Sequence, residues 1–444
     1  YKEKYLLTGI VRRDGSSRFG ENNKYGVFPS FSAGWVLTKE DFWKQNNILT
    51  NLKLRGGYGV VGSDAIGDFM YLATVGSGRN YTIGTGDYVP TVGYSPNAPS
   101  NKDLKWEETT QTNVGFEAML FNDLSLEFDF YKKKTTGILQ SVQLPGYVGA
   151  TGTPSGNVAD MENKGIDISF SYKKRVGEVD LGISGNASTL KNTVTGVGMD
   201  RKFNTGAGFQ SMGAITRYEV GSSFNEFYGY ETNGIFQNQT DINNYKSADG
   251  TVIQPDATPG DFKWKDLNGD GKITADDRKY LGSPLPKVTY GFTVNVAYKG
   301  FDLTVFSQGA AGNKVFQGLR RLDLGGANWQ SAALNRWTGE GTSNSYPKVS
   351  TSDNNGNFTK MSNFYLQKGD YLRLKIVQLG YSLPTDIISK AGLSKTRLYV
   401  TGENLLTFTK YTGYDPEIGG SVSGIDRGYY PQARSIMFGC NVSF

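Results

Sequence analysis

The segment SIMFGCNVSF at residues 435–444 decides the fold: Ile436, Phe438, Cys440, Val442 and Phe444 alternate with Met437, Gly439, Asn441 and Ser443. An apolar residue at every second position lines one face of an extended strand, because successive side chains point to opposite faces. One such strand would also suit a soluble sandwich, so the pattern gains weight only by recurring. VTYGFTVNVAY at 288–298 sets Tyr290, Phe292, Val294, Val296 and Tyr298 against Gly291, Thr293, Asn295 and Ala297, with aromatic rings flanking an aliphatic middle. Ile166, Ile168, Phe170 and Tyr172 alternate with Asp167, Ser169, Ser171 and Lys173. Leu124, Leu126, Phe128 and Phe130 alternate with Ser125, Glu127, Asp129 and Tyr131. Charged residues on the second face need water, and the repetition favours an all-β, antiparallel transmembrane barrel with a polar lumen.

Candidate strands fall at about residues 3–13, 25–37, 50–61, 104–120, 124–140, 157–174, 178–192, 212–220, 226–236, 286–299, 301–311, 370–382, 395–407 and 433–444. The connections between these roughly fourteen strands alternate between short and long, as in outer-membrane barrels with short periplasmic turns and long external loops. With the C-terminus on the periplasmic side, every long connection falls outside. Bacterial outer-membrane barrels also commonly close on a strand ending in an aromatic residue, as Phe444 does here.

Composition agrees with one large sheet. The 444 residues contain no Pro-, Ser- or charge-rich linker, while 58 glycines and 13% aromatics suit recurrent turns and interfacial belts. A mean hydropathy of −0.43 is too polar for a helical membrane protein, and no stretch approaches the ~20 apolar residues a spanning helix needs. Strands escape that demand because only alternate residues touch lipid. The net charge of +5 is spread along the chain and leaves no nucleic-acid footprint. Histidine is absent, which removes His-based triads, His-liganded zinc and histidine acid/base chemistry. Adjacent Glu107 and Glu108 point to opposite faces of a strand and cannot share a proton, so no catalytic site is expected. The single cysteine, Cys440, has no internal disulfide partner.

The sharpest chemical motif is DLNGDGKITADD at 266–277. Asp266, Asn268 and Asp270 occupy positions 1, 3 and 5 of a twelve-residue loop, Gly271 at position 6 permits the turn, and the Lys272 carbonyl, Thr274 and Asp277 fall at 7, 9 and 12. That spacing is the one by which a tight loop points alternate oxygens at Ca²⁺. Aspartate rather than glutamate at position 12 shortens the reach, so Mg²⁺ stays open beside Ca²⁺. The same letters also serve as plain turn chemistry. The expected role is structural, stiffening the external loop. Most aromatics, among them Phe19, Tyr25, Phe28, Trp35, Trp106, Tyr228 and Tyr230, are assigned to interfacial belts. Trp329, Trp337, Tyr411, Tyr414, Tyr429 and Tyr430 lie in long outward loops and are the candidates for contact with substrate or partner.

Eight segments, taken in order, are similar to the C-terminal barrel of SusC/RagA-like TonB-dependent transporters of Bacteroidetes. They are RRDGSSRFGENNKYGVFPSFSAGW (12–35), LKLRGGYGVVGSD (52–64), LKWEETTQTNVGFE (104–117), NKGIDISFSYKK (163–174), VGSSFNEFYGYETNGIFQ (220–237), DLNGDGKITADDRKYLGSPLPKVTYGF (266–292), GDYLRLKIVQLGYSLP (369–384) and RLYVTGENLLTFTKYTGYDPE (397–417). The resemblance implies a barrel of about 22 strands, of which this chain would supply roughly the last fourteen. It implies uptake of oligosaccharides or peptides across the bacterial outer membrane with a SusD-like surface lipoprotein, driven by TonB through a plug absent from this chain. The rival expectations are a passive porin and a secreted, calcium-stabilised β-sandwich adhesin or carbohydrate-binding module.

Overall fold

The computed structural model describes residues 1–83, 90–142, 144–148, 152–198, 201–322, 326–418 and 424–444. Among these, twelve long strands carry the architecture: β1 (Tyr5–Gly15), β2 (Tyr25–Val36), β3 (Leu49–Ser63), β4 (Glu107–Leu120), β5 (Leu124–Ser141), β6 (Ser155–Val176), β7 (Val179–Thr189), β8 (Val288–Tyr298), β9 (Phe301–Ala311), β10 (Tyr371–Ser382), β11 (Lys395–Thr409) and β12 (Ser435–Ser443). The chain divides into two compact units, the first holding residues 1–170 with two short later segments, 189–202 and 219–222, the second the remainder. In the first, β1 to β6 follow one another as hydrogen-bonded neighbours, and the short strand Lys191–Gly196 lies against β6. In the second, β7 to β12 do the same. Local chemistry makes this up-and-down order cheap. Phe121 and Asn122 between β4 and β5, and Lys299 and Gly300 between β8 and β9, all take positive φ. The first connection has three residues and the second two, and such tight positive-φ turns match the right-handed twist of the strands they join.

The strand register sorts side chains into two faces. In the second unit Val294 pairs with Val305, Val305 with Val377, Val377 with Gly402, and Gly402 with Ile436. One residue along, Asn295 pairs with Thr304, Thr304 with Gln378, and Gln378 with Thr401. In the first unit Trp35, Leu54, Phe116 and Phe128 form one such apolar row, while Gly34, Arg55, Gly115 and Asp129 form the polar row beside it. Every second row is therefore dry and the next is wet, the arrangement of a sheet with lipid on one side and water on the other. Ile168, Phe292, Phe438 and Val442, expected on the lipid face, are all exposed.

Two expected wall strands, 212–220 and 226–236, are not in the wall. The structure forms Thr216–Glu219, Glu226–Gly229 and Thr232–Ile235 there, each only four residues long. A tilted spanning strand needs ~9–11 residues, so these are too short to cross a bilayer. Thr216–Glu219 and Glu226–Gly229 join Phe203–Thr205 and Lys279–Gly282 in a separate four-stranded sheet. Their alternation serves a small interior instead, with Ile215 and Phe227 fully buried against Phe209, Phe316, Met361 and Ile425. Losing two consecutive strands leaves the parity intact: the longest connections, 64–106, 190–287, 312–370 and 410–434, still all follow odd-numbered strands.

The belt assignment also needs correction for five aromatics: Tyr228 lies in the separate four-stranded sheet with its ring 5.2 Å from Tyr280, and Tyr230 packs against the buried Trp264 cluster. Phe19, Phe28 and Trp106 pack with Leu104 into a buried cluster of the first unit. Phe28 pairs with Arg12 on the polar face, so its ring turns inward and covers loop residues rather than meeting lipid. Trp35 does sit on the apolar face, at the β1–β2 edge.

Candidate functional site

The polar face of the wall is lined by fixed charges. In the first unit Arg55 binds Asp129 and Glu117, and Lys53 Nζ lies 3.3 Å from Glu117. In the second, Arg397 Nε donates to Asp302 Oδ1 at 2.9 Å and Gln378 Nε2 to Thr401 Oγ1 at 2.7 Å. Lone charges there would be costly wherever water is scarce, and pairing offsets that cost.

One of these charges reaches out of the wall and holds a loop. Arg373 on β10 is only 3% exposed; its Nε donates to Thr407 Oγ1 at 2.8 Å, Nη1 to Glu417 Oε2 at 2.7 Å and Nη2 to Asp415 Oδ1 at 2.5 Å. Lys375 Nζ donates to the same Glu417 oxygen at 2.8 Å. Asp415 in turn accepts from the Glu417 and Gln432 backbone N–H groups, each at 2.9 Å. The connection between β11 and β12 is thus fastened to the polar face by a buried guanidinium that makes one charge-assisted bond to each of two carboxylates. Sequence reading missed this cluster, although Arg373 and Glu417 both lie in family-like segments. A separation of more than forty residues hides the pair from any local pattern.

Long connections of the second unit fold together. Lys314–Gln317 pairs antiparallel with Leu366–Lys368 and parallel with Ile425–Asp426. Ile235, Phe262 and Trp264 form a second buried cluster, with Trp337 and Phe364 packed against it. The aromatic candidates are dispersed through this assembly. Tyr411 is buried, and its hydroxyl donates to Asp426 Oδ2 at 2.6 Å. Burial, reinforced by the carboxylate, pushes its phenol far above the ordinary range, so it stays a donor and serves the loop rather than a ligand. Trp337 donates from Nε1 to Gln237 Oε1 at 3.2 Å and is likewise structural. Tyr414, Tyr429 and Tyr430 are exposed and mutually available to a partner. Trp329 is half-buried and lines a cavity of about 150 Å³ together with Arg320, Tyr346, Phe358, Phe364 and Tyr365.

The 266–277 loop is closed by carboxylates acting on the backbone. Asp266 accepts from Gly269 N–H at 2.7 Å and Gly271 N–H at 2.9 Å, and both glycines take the positive φ that the turn requires. Asp277, fully buried, accepts from Leu267 N–H at 2.8 Å and Thr274 N–H at 2.7 Å, completing a capping box with Thr274. Asp270 accepts from Lys272 N–H at 2.9 Å and from Asn268 Nδ2 at 3.0 Å. Among the described residues no three His, Cys, Asp or Glu side chains converge as a metal cluster. Asp266 keeps the position-1 geometry of a cation loop, with each oxygen holding one N–H. Asp277 caps the backbone with both oxygens, so a cation would have to draw at least one away.

The family model described as TonB dependent receptor-like, beta-barrel matches residues 1–405. TonB-dependent receptor P3 of Formosa agariphila is 34% identical over 458 residues, covering 100% of this chain and 44% of its own length. TonB-dependent receptor SusC of Bacteroides thetaiotaomicron is 30% identical, over 99% of this chain and 42% of its own length. The solved structure of the RagAB peptide transporter superposes with a TM-score of 0.80 at 27% identity, covering 100% of this chain and 46% of the other. The chain thus spans somewhat less than half the length of each relative.

Proposed function

Because this chain belongs to the TonB-dependent receptor-like β-barrel family, a family of outer-membrane receptors rather than enzymes, we propose that it forms part of the wall and external loops of a nutrient importer. The observation that carries this reading is the two-faced register, in which apolar rows alternate with rows holding Arg55, Asp129, Asp302 and Arg397. The cargo is an oligomer, a glycan or a peptide. The RagAB relative, a peptide transporter, supports a peptide. A SusD-like surface lipoprotein docks on the exposed loop aromatics Tyr414, Tyr429 and Tyr430, and TonB acts through a plug carried elsewhere in the full-length product.

The edges argue for the same conclusion. Among the described residues β1 pairs with β2 alone and β12 with β11 alone. An open edge in hydrocarbon leaves each N–H and C=O unsatisfied at several kcal/mol, so further strands of the same product are needed to close the ring. Mass spectrometry of the complex purified from native membranes tests this. A single larger product with a lipoprotein bound is expected; a complete pore made of this polypeptide alone would favour the passive porin instead.

We also propose that the 266–277 loop takes a structural Ca²⁺ through Asp266, Asn268, Asp270, the Lys272 carbonyl and Thr274, with Asp277 swinging from its cap. The positive-φ glycines and the position-1 geometry of Asp266 support this.

A further inference from the structure

We propose that the cavity beside Trp329 recognises the free C-terminal carboxylate of a peptide ending in an apolar residue, an inference that rests on the importer reading for treating that peptide as cargo. The charge is the starting point. Arg320 lines the cavity with its guanidinium carbon 3.7 Å above the Trp329 ring. Its Nε is buried without a hydrogen-bond partner, and no carboxylate among the described residues pairs with it. Guanidinium is always charged, presents a planar fork of donors and matches carboxylate geometry. Stacking on an indole is worth only about 0.5–2 kcal/mol, whereas a buried donor left unmade costs about 1–3 kcal/mol. Among the described residues Arg320 is therefore a pre-positioned cation without an anion. Tyr346, on the same cavity wall, adds a hydroxyl with no hydrogen-bond partner among the described residues.

The rest of the cavity describes what the anion is attached to. Phe358, Phe364 and Tyr365 supply aromatic walls, with Phe358 and Phe364 in edge contact at 6.0 Å and Tyr365 donating its hydroxyl to the Phe358 carbonyl at 2.8 Å. Most of the polar rim is already engaged with itself: Gln317 and Gln367 both donate to Thr412 Oγ1, at 3.0 and 2.9 Å, which leaves Gln330 as the remaining amide of the lining. A sugar ring brings several hydroxyls, more than this one remaining amide serves. A hydrocarbon side chain needs no partner, and about 150 Å³ accommodates one of benzene size. Aromatic walls with one unpaired guanidinium at their edge thus fit a terminal Leu or Phe with its carboxylate.

The test uses the full-length product in detergent with its lipoprotein, titrated by calorimetry and by Trp fluorescence with acetyl-Ala-Ala-Leu and its C-terminal amide. The free acid is expected to bind at least about tenfold more tightly than the amide, the gap expected of one charge-assisted contact. Arg320→Gln should abolish that preference, and Arg320→Lys should retain part of it, keeping the charge but losing the fork. Equal affinity for acid and amide overturns the proposal, as does an unchanged preference in Arg320→Gln. Displacement of the peptide acid by a hexuronate trisaccharide at equal concentration overturns it too, by assigning the site to acidic glycans. Uptake assayed separately distinguishes the two readings. Peptide imported without a C-terminal preference defeats the site and spares the importer; tight binding of the acid with no import of any oligomer does the reverse.

Discussion

Placing lysine at Val294 should cripple assembly while lysine at its neighbour Asn295 is tolerated. Val294 lies near the middle of β8 and continues across the sheet through Val305, Val377, Gly402 and Ile436, so a charge there enters a continuous apolar row. Lysine on a lipid face costs about 2–4 kcal/mol at the bilayer midplane. That is roughly a 30- to 700-fold loss in the folded-to-unfolded ratio, at about 1.4 kcal/mol per tenfold. Asn295 belongs to the wet row and accepts from Thr304 Oγ1 at 2.9 Å. Its replacement forfeits that bond, worth about 0.5–1.5 kcal/mol and toward the lower end because the pair is exposed to water. Urea unfolding of the full-length product in lipid vesicles, followed by the heat-dependent gel shift of folded barrels, measures both. Equal losses for Val294→Lys and Asn295→Lys would refute the face assignment and the membrane reading of the strand.

Three further outcomes are expected. Arg373→Ala leaves Asp415 without its buried cation and Glu417 with Lys375 alone; removing one partner of a buried pair costs about 3–5 kcal/mol. Limited proteolysis should then cut within 410–434 while the gel shift of the wall persists, and an uncut loop contradicts the latch. Ca²⁺ should protect the 237–285 segment from protease in the native protein but not after Asp266→Ala with Asp270→Ala; no effect of chelation in the native protein leaves the loop closed by its hydrogen bonds alone. Glu231, in the same assembly, is held below the ordinary carboxylate range by hydrogen bonds from Lys265 and then Lys279. Its stabilising contribution is present above the unfolded carboxylate value and lost as pH falls through the depressed one. Proteolysis of these loops should accelerate below about pH 4, and a Glu231→Gln variant should lack that dependence.

The wall was legible because period-two alternation is a local property: each strand announces its two faces within ten residues, and the turn at Phe121–Asn122 needs only positive φ. The external assembly was not, because its strands are only two to four residues long and their apolar positions pack against segments more than two hundred residues away. Ile215 and Ile425 share one cluster on no local signal. For the same reason Tyr411 was read as outward, though its partner Asp426 lies in a segment whose pairing with Lys314–Gln317 is visible only in three dimensions. Phe28 shows how alternation misleads at a strand end, where the ring belongs to the polar face yet finds Trp106 to cover it. The cation loop was legible as spacing, while the use of Asp277 as a backbone cap depends on how the loop closes.

Spin-label scanning of residues 290–298 in the full-length product, on a Cys440→Ser background and reconstituted in lipid, tests the central claim most directly. Collision with oxygen, which concentrates in lipid, should peak at 292, 294 and 296, and collision with a water-soluble nickel chelate at 293, 295 and 297. A chelate that reaches both sets equally, or accessibility without a period of two, contradicts the membrane wall.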